Sequence, residues 1–482
     1  MTQIAAARAE ALAGPGPAPG SAVKLFLYSA VFWLLVADFI GLVASMQFIN
    51  PQWSENVSFL TFGRLRPVHV NGVLFGWLSM AQVGAAFYMV PRLCGNRLWS
   101  ERLGVWTGWL WNLVIVLAVV TLLDGYNQGR EYAELVWPLD VAVMVLLLLS
   151  GLNVFMTVAR RREKKLYVTV WYVMGAFIWM PILYFVGNAM WETGNFWHQS
   201  GAIGGINDAT LNWFYGHGVL GMWFTPMGVA LAYYFIPTLA RTPLYSHALS
   251  MLGFWTIAFM YPMVGHHHLL QTPTPAWIKT LATMGSIGML IPFLTVLTNL
   301  WMTMRGNWQK IYESVVLKFF ITGTVFYLIT AVQGSFQAVQ GFNRLIHYTQ
   351  WIVGHAHVAL FGTYSIWLMG AIYYIVPVML KRRLYSQSLA EVHFWMATGG
   401  FILMMLSLQI AGLIQGAAWL QGTPVEDLLP QLKPYFIVRS IGGAMMVASG
   451  FIMAYNLFKT ATVGEREEVP TRGRAALSSE GY

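Results

Sequence analysis

The chain has 482 residues, is 57% apolar and carries only 10% charged residues, against the roughly 25% of a soluble domain, so an ordinary water-soluble enzyme is excluded. The formal net charge of +9 is concentrated in short loops between apolar runs, which speaks for orientation in a membrane and against a nucleic-acid partner. The single cysteine, Cys94, excludes an internal disulfide, a cysteine-ligated iron–sulfur cluster, a Cys-x-x-Cys-His haem attachment and a copper pair bridged by two thiolates.

The opening stretch MTQIAAARAEALAGPGPAPGSAV, residues 1–23, reads as a flexible cytoplasmic tail. It lacks the basic, apolar and cleavage regions of a signal peptide in their required order. Twelve runs long enough for a bilayer core, about 20 residues each, follow. They cover 24–47, 67–91, 104–124, 138–159, 167–187, 212–238, 248–270, 278–303, 314–334, 352–379, 392–416 and 436–458. Hydrocarbon offers no partner to backbone N–H and C=O groups, so these spans are expected as α-helices, and a barrel would show short alternating segments instead. The loops are short, so 24–458 reads as one all-α, twelve-helix domain, with 459–482 a polar cytoplasmic tail. No internal repeat is legible.

Basic residues collect after the even-numbered spans: Arg92, Arg97 and Arg102, then Arg160, Arg161, Arg162, Lys164 and Lys165, then Lys381, Arg382 and Arg383. The positive-inside rule puts these loops and both termini in the cytoplasm.

With that orientation, seven of the eleven histidines gather at one depth near the outer side. His69, in RPVHVNG, opens the second span. His217, in FYGHGVLG, lies near the outer end of the sixth, and His266, His267 and His268, in MVGHHHLLQ, at the outer end of the seventh. His355 and His357, in WIVGHAHVALFG, open the tenth. Imidazole is costly in hydrocarbon unless satisfied, and it is the usual protein ligand of haem iron and copper. Four spans converging at one depth therefore point to metal centres.

Residues two apart on a helix point about 200° apart, so His355 and His357 serve two centres. His357 with His69 across the bundle fits a six-coordinate, electron-transferring haem. His355 on the other face fits a haem with an open position. His217 and two members of the triple then face that position and hold a second metal, so that a diatomic ligand fits between the two.

His69, FYGHGV, Tyr261 ahead of HHH, and HYTQWIVGHAH in a twelve-span chain resemble the catalytic subunit of the heme–copper oxidases. The nearest likeness is to the cbb3-type cytochrome c oxidase, over residues 55–458. The resemblance implies two b-type haems and one copper ion, with His69 and His357 on the low-spin haem, His355 on the high-spin haem, and His217, His267 and His268 on copper. It implies that Tyr261 is the active-site tyrosine, covalently linked to His217, and supplies a proton and an electron when the O–O bond breaks. His266 is left as a neighbour off the metal. Asn343, His347, Trp351 and Arg439 are expected at the haem propionates, and Glu131 and Glu134, in GREYAELVW, beside them with a calcium ion. Tyr233 and Ser250 match a proton path rising from the cytoplasm.

The resemblance further implies a bacterial cytoplasmic-membrane enzyme that takes electrons from c-type cytochrome partner subunits and reduces O₂. The chain departs from the pattern at three places. Gln333 stands where a glutamate is expected near the proximal histidine, Gly218 where an asparagine follows the sixth-span histidine, and Gly253 where a histidine is expected in span seven. The closest alternative is the large subunit of nitric-oxide reductase, which HVALFGTY resembles. That enzyme needs carboxylates at a non-haem iron, but this chain has Gly221 at one of the two positions and GSIGML at the other. A cofactor-free transporter with a histidine proton relay is the remaining reading. The apparent lack of repeats and the gathering of histidines at one end speak against it.

Overall fold

The computed structural model describes residues 18–54, 56–188 and 203–466, so most of both expected tails lies outside the described residues. Twelve apolar helices long enough to cross a bilayer are present among the described residues. They are α1 (Ser21–Met46), α2 (Phe62–Leu93), α3 (Glu101–Asp124), α4 (Trp137–Ala159), α5 (Val168–Asn188), α6 (Gly205–Ala240), α7 (His247–Leu269), α8 (Ala276–Thr303), α9 (Val315–Gln337), α10 (Gln350–Leu380), α11 (Gln387–Leu420) and α12 (Val425–Val463). Each overlays one expected span, and most run a turn or more further, because polar residues at the helix ends continue the backbone pairing beyond the apolar run.

The layering follows from which faces are apolar. In their most apolar stretches α2 and α6 are 94% buried and α10 is 78% buried, against 39–56% for the other nine. The first three are therefore inner helices, ringed by the rest. The outer helices turn Trp106, Trp109, Phe185, Phe259 and Trp395 outward, as a lipid-facing surface requires.

The absence of an internal repeat is corrected by the hydrogen bonds. Ser100, Ser246 and Ser386 cap α3, α7 and α11 by accepting the N–H of Leu103, Leu249 and Leu389 at 3.1, 3.2 and 3.1 Å. An asparagine of the following helix grips each serine's backbone. Asn153, Asn299 and Asn456 accept its N–H at 3.0, 2.9 and 3.1 Å and donate to its C=O at 2.9, 2.7 and 2.8 Å. One turn on, Thr157, Thr303 and Thr460 accept the N–H of Trp99, Tyr245 and Tyr385.

The chain is thus three four-helix units, α1–α4, α5–α8 and α9–α12, each with the same clamp between its third and fourth helices. The repeat is hard to see in the sequence because it is confined to Leu-aromatic-Ser-x-x-Leu and Asn-x-x-x-Thr, between apolar stretches free to vary. The repeat also removes one of the two arguments against a transporter; the histidine geometry carries the case instead.

The inner helix of each unit is interrupted in the same way. Gly72–Ser79 in α2, Leu220–Phe224 in α6 and Val358–Ser365 in α10 widen to i→i−5 pairing. Such π segments re-aim the residues before them and recur at functional sites. Here the residues before them are the histidines. At the end of α7 the helix instead tightens into a 3₁₀ turn, Gly265–Leu269.

Candidate metal centre

His69 and His357 face each other across a cavity of about 400 Å³, with ring centroids 6.3 Å apart and planes 15° from parallel. A metal bound by one nitrogen of each ring would hold the ring centres about 6 Å apart, from two metal–nitrogen bonds of about 2 Å and an imidazole radius of about 1 Å on each side. The tautomers agree with that geometry. His69 Nδ1 meets the Ala37 carbonyl and His357 Nδ1 the Val353 carbonyl, both at 2.8 Å, which leaves both Nε2 atoms as ligands. Gly41 makes this possible, because a Cβ there would lie 2.5 Å from His69 Nδ1.

Two guanidinium groups line the same cavity. Arg439 is stacked 4.7 Å over Phe48, and its Nη1 is buried with no hydrogen-bond partner; Arg66 is paired with Glu131. A buried N–H in that state fits an anion such as a haem propionate. The sequence signal that singled out Arg439 gave no weight to Arg66, three residues before His69 and on its helix face.

The second cluster forms where α6 meets the 3₁₀ turn of α7. His217, His267 and His268 each offer one ligand atom, all within 4.8 Å of one another. His217 Nδ1 lies 3.0 Å from His268 Nε2. The other nitrogen of His217, Nε2, lies 3.2 Å from the Tyr261 hydroxyl. The two rings are nearly parallel, with centroids 5.4 Å apart. His266 is outside the cluster.

Two of the three supports of this cluster come from other helices, and reading along the chain missed all three. Ser286 of α8 hydrogen-bonds His267 Nδ1 at 2.9 Å, Gln337 at the end of α9 lies 3.3 Å from its Nε2, and Trp213 stacks on His268 at 3.8 Å. Trp213 was legible in principle, being four residues before His217 on one helix face. Ser286 falls in GSIGML, where a reductase would carry a carboxylate.

His355 is close enough to interact electrostatically with all three cluster histidines. Its Nδ1 meets Gln333 Oε1 at 3.1 Å, which leaves Nε2 for a metal, and Trp351 stacks on its ring, 12° from parallel. The structure therefore sends His355 and His357 to different chambers. Asn343 is spent on protein partners: it donates to the Gln337 carbonyl at 2.9 Å and accepts from Gln271 at 3.3 Å. His347 packs on Tyr348 and keeps a buried, unpartnered Nε2; burial holds its pKa below the ordinary imidazole value.

In the loop before α4, Glu134 accepts a hydrogen bond from Asn71 at 2.9 Å, while its other oxygen is buried and unpartnered. Burial pushes its carboxyl up to about 7, against the opposing effect of the Asn71 bond. The two proton-path candidates lie in the half of the bundle away from the histidines. Tyr233 receives an N–H from Asn299 at 3.4 Å, and Ser250 donates to its own helix at His247 O, 2.6 Å. Both are fully buried. Gly253 leaves room for Tyr172, whose hydroxyl would lie 3.0 Å from a Cβ at that position.

The family model described as cytochrome c and quinol oxidase polypeptide I matches residues 21–445. The cbb3-type cytochrome c oxidase subunit CcoN1 of Stutzerimonas stutzeri is 33% identical over 462 residues, covering 94% of this chain and 97% of that protein. A nitric oxide reductase subunit of the same organism is 24% identical over 435 residues, covering 84% and 88%. A heme–copper terminal oxidase dimer solved by cryo-electron microscopy shares the fold, with a TM-score of 0.76 at 18% identity over 93% of this chain and 86% of that one. A match over nearly the whole bundle, together with that one-third identity, makes this chain a member of the heme–copper oxidase subunit I family, with its stronger likeness on the cbb3-type cytochrome c oxidase side.

Proposed function

We propose that the chain is the catalytic subunit of a respiratory terminal oxidase in a bacterial inner membrane. It reduces O₂ to water with electrons from c-type cytochrome subunits of the same complex and protons from the cytoplasm. The observation that carries this reading is the pair Gly221 and Tyr261. A Cβ at position 221 would lie 1.6 Å from Tyr261 Cζ, so the tyrosine ring fills the space in which a reductase would hold its carboxylate. The phenol also sits 3.2 Å from His217 Nε2, within reach of the expected covalent link.

When bound, two b-type haems and one copper ion supply electron transfer and the reduction of O₂. His69 and His357 offer Nε2 to one haem and His355 to the other, while His217, His267 and His268 hold the copper. Arg66 and Arg439 pair with propionates. The unpartnered oxygen of Glu134, with Glu131, suits a calcium ion beside them. Tyr261 gives up a proton and an electron during O–O cleavage. Tyr172 packs on Tyr233 with ring centroids 5.7 Å apart, and the buried hydroxyls of Tyr172 and Tyr327 have no protein partner, which leaves them free to bond water. This run of phenols is the proposed proton path toward Tyr261, with Ser250 buried in α7 on the cytoplasmic side. The end carrying the histidines faces outward, so proton uptake from the opposite side charges the membrane.

The test is Tyr261→Phe in the purified complex. The variant is expected to keep haem and copper, lose most O₂ reduction, and lose the mass signature of a joined Tyr261–His217 peptide, lighter by two hydrogens in the wild type. Undiminished O₂ reduction by Tyr261→Phe would overturn the assignment.

A further inference from the structure

The π segments of α2 and α10 end on Ser79 and Ser365, and that of α6 ends one residue before Thr225. Each of these hydroxyls donates to the carbonyl five residues back on its own helix, Leu74, Leu220 and Leu360, at 2.7, 2.8 and 2.9 Å. A side-chain hydroxyl bonded there pins the widened turn in place.

Each hydroxyl oxygen also meets an aromatic donor from a neighbouring inner helix. Trp223 Nε1 on α6 donates to Ser79 on α2 at 3.0 Å. Trp77 Nε1 on α2 donates to Ser365 on α10 at 2.8 Å. Tyr364 on α10 bonds Thr225 on α6; Tyr364 is the donor, because the one proton of Thr225 is committed to Leu220. All six side chains are at most 2% exposed. The bonds run α6 to α2, α2 to α10 and α10 to α6, and so close a triangle. It lies eight to ten residues past the histidines, about 12–15 Å along the helices.

The edges differ in what they join. The α2–α10 edge links the helices bearing His69 and His357, the facing pair. The α10–α6 edge links those bearing His355 and His217, on either side of the reacting chamber. The α6–α2 edge links helices whose histidines share no centre. We propose that this triangle is a positioning ring, in which each edge fixes the spacing and rotation of two inner helices and thereby the geometry of the metal centre ligated between them. The proposal rests on reading the histidine pairs as haem and haem–copper sites.

The symmetry is broken at one corner. Trp77 and Trp223 stand two residues before Ser79 and Thr225, but the residue two before Ser365 is Thr363, and the neighbouring Tyr364 supplies the donor. The edge across the reacting chamber is therefore a hydroxyl pair, and the other two are indole to hydroxyl.

The test replaces one donor per edge in the purified complex: Trp77→Phe, Tyr364→Phe and Trp223→Phe. Two signals are read, the electron paramagnetic resonance of the oxidised low-spin haem and the infrared stretch of carbon monoxide bound to the reduced enzyme. Trp77→Phe is expected to shift the first and leave the second. Tyr364→Phe is expected to do the reverse. Trp223→Phe, which loses the same indole as Trp77→Phe, is expected to shift neither.

Trp77 and Ser365 also line the His69–His357 cavity, so a direct effect on the haem has to be separated from an effect through the bond. Ser365→Ala is expected to reproduce the Trp77→Phe shift, the double variant to add nothing to it, and Ser365→Thr to restore the wild-type signal. Where an aromatic replacement does not accumulate, Ser365→Ala, Thr225→Val and Ser79→Ala break the same edges by one hydroxyl each. If all edges shift both signals alike, or none shifts either, the ring is ordinary packing and the proposal is wrong. A purified wild type without haem signals would instead sink the functional reading beneath it.

Discussion

His266, His267 and His268 occupy a 3₁₀ turn, in which successive side chains are about 120° apart. Two neighbours reach one chamber and the third points away, toward a buried position where His266 Nε2 has no partner. Substituting His266 with Gln is expected to leave bound copper unchanged, whereas His267→Gln or His268→Gln should abolish it, as metal analysis of the purified complex would reveal. The proximal side makes a second residue-scale case. Gln333 gives His355 Nδ1 a neutral acceptor at 3.1 Å, and a carboxylate there would make the imidazole more anionic and favour the oxidised iron. Gln333→Glu is therefore expected to lower the midpoint potential of the high-spin haem in a redox titration; an unchanged or raised potential would contradict that account. The six ligand candidates were legible because histidines of four spans share one depth at one end of the bundle. Ser286 and Gln337 were not, because an uncharged hydroxyl or amide inside a helix carries no comparable penalty and its role depends on which helices meet.

At the scale of elements, the apolar runs located all twelve helices, since bilayer thickness dictates run length. They could not locate the local departures from α geometry. The π segments in α2, α6 and α10 and the 3₁₀ turn ending α7 decide where the histidines point, and hydropathy is blind to pitch. The threefold clamp escaped for a related reason, being carried by a few polar residues per unit. Each clamp asparagine makes two bonds to a serine's backbone, and breaking them leaves a part-buried N–H and C=O unpaired, a cost of about 1–3 kcal/mol. Asn153→Ala, Asn299→Ala and Asn456→Ala are each expected to lower the thermal midpoint without changing haem content. Equal stability of all three variants with the wild type would remove the clamp from the account. Gly221→Ala belongs here too, since the contact it breaks is between α6 and α7. With a Cβ 1.6 Å from Tyr261 Cζ, the variant is expected to lose O₂ reduction even if it folds, at a packing cost of about 1–3 kcal/mol.

Across the whole molecule, two chambers lined by the candidate ligand histidines sit at one end of a bundle whose opposite end carries the clusters at Arg92, Arg160 to Lys165 and Lys381 to Arg383. This polarity separates the proposed electron entry and O₂ chemistry from the proposed proton uptake, an arrangement in which turnover would charge the membrane. The chain has no cysteine pair for covalent haem, so the proposed electron delivery is assigned to partner subunits. The central claim is that the second metal is copper and the substrate O₂. The decisive measurement is the copper content of the purified complex per pair of b-type haems, taken with O₂ and NO turnover on the same sample. About one copper and fast O₂ consumption are expected from the three-imidazole ligand set without carboxylates. A third, non-haem iron in place of copper, with NO consumed faster than O₂, would contradict the account.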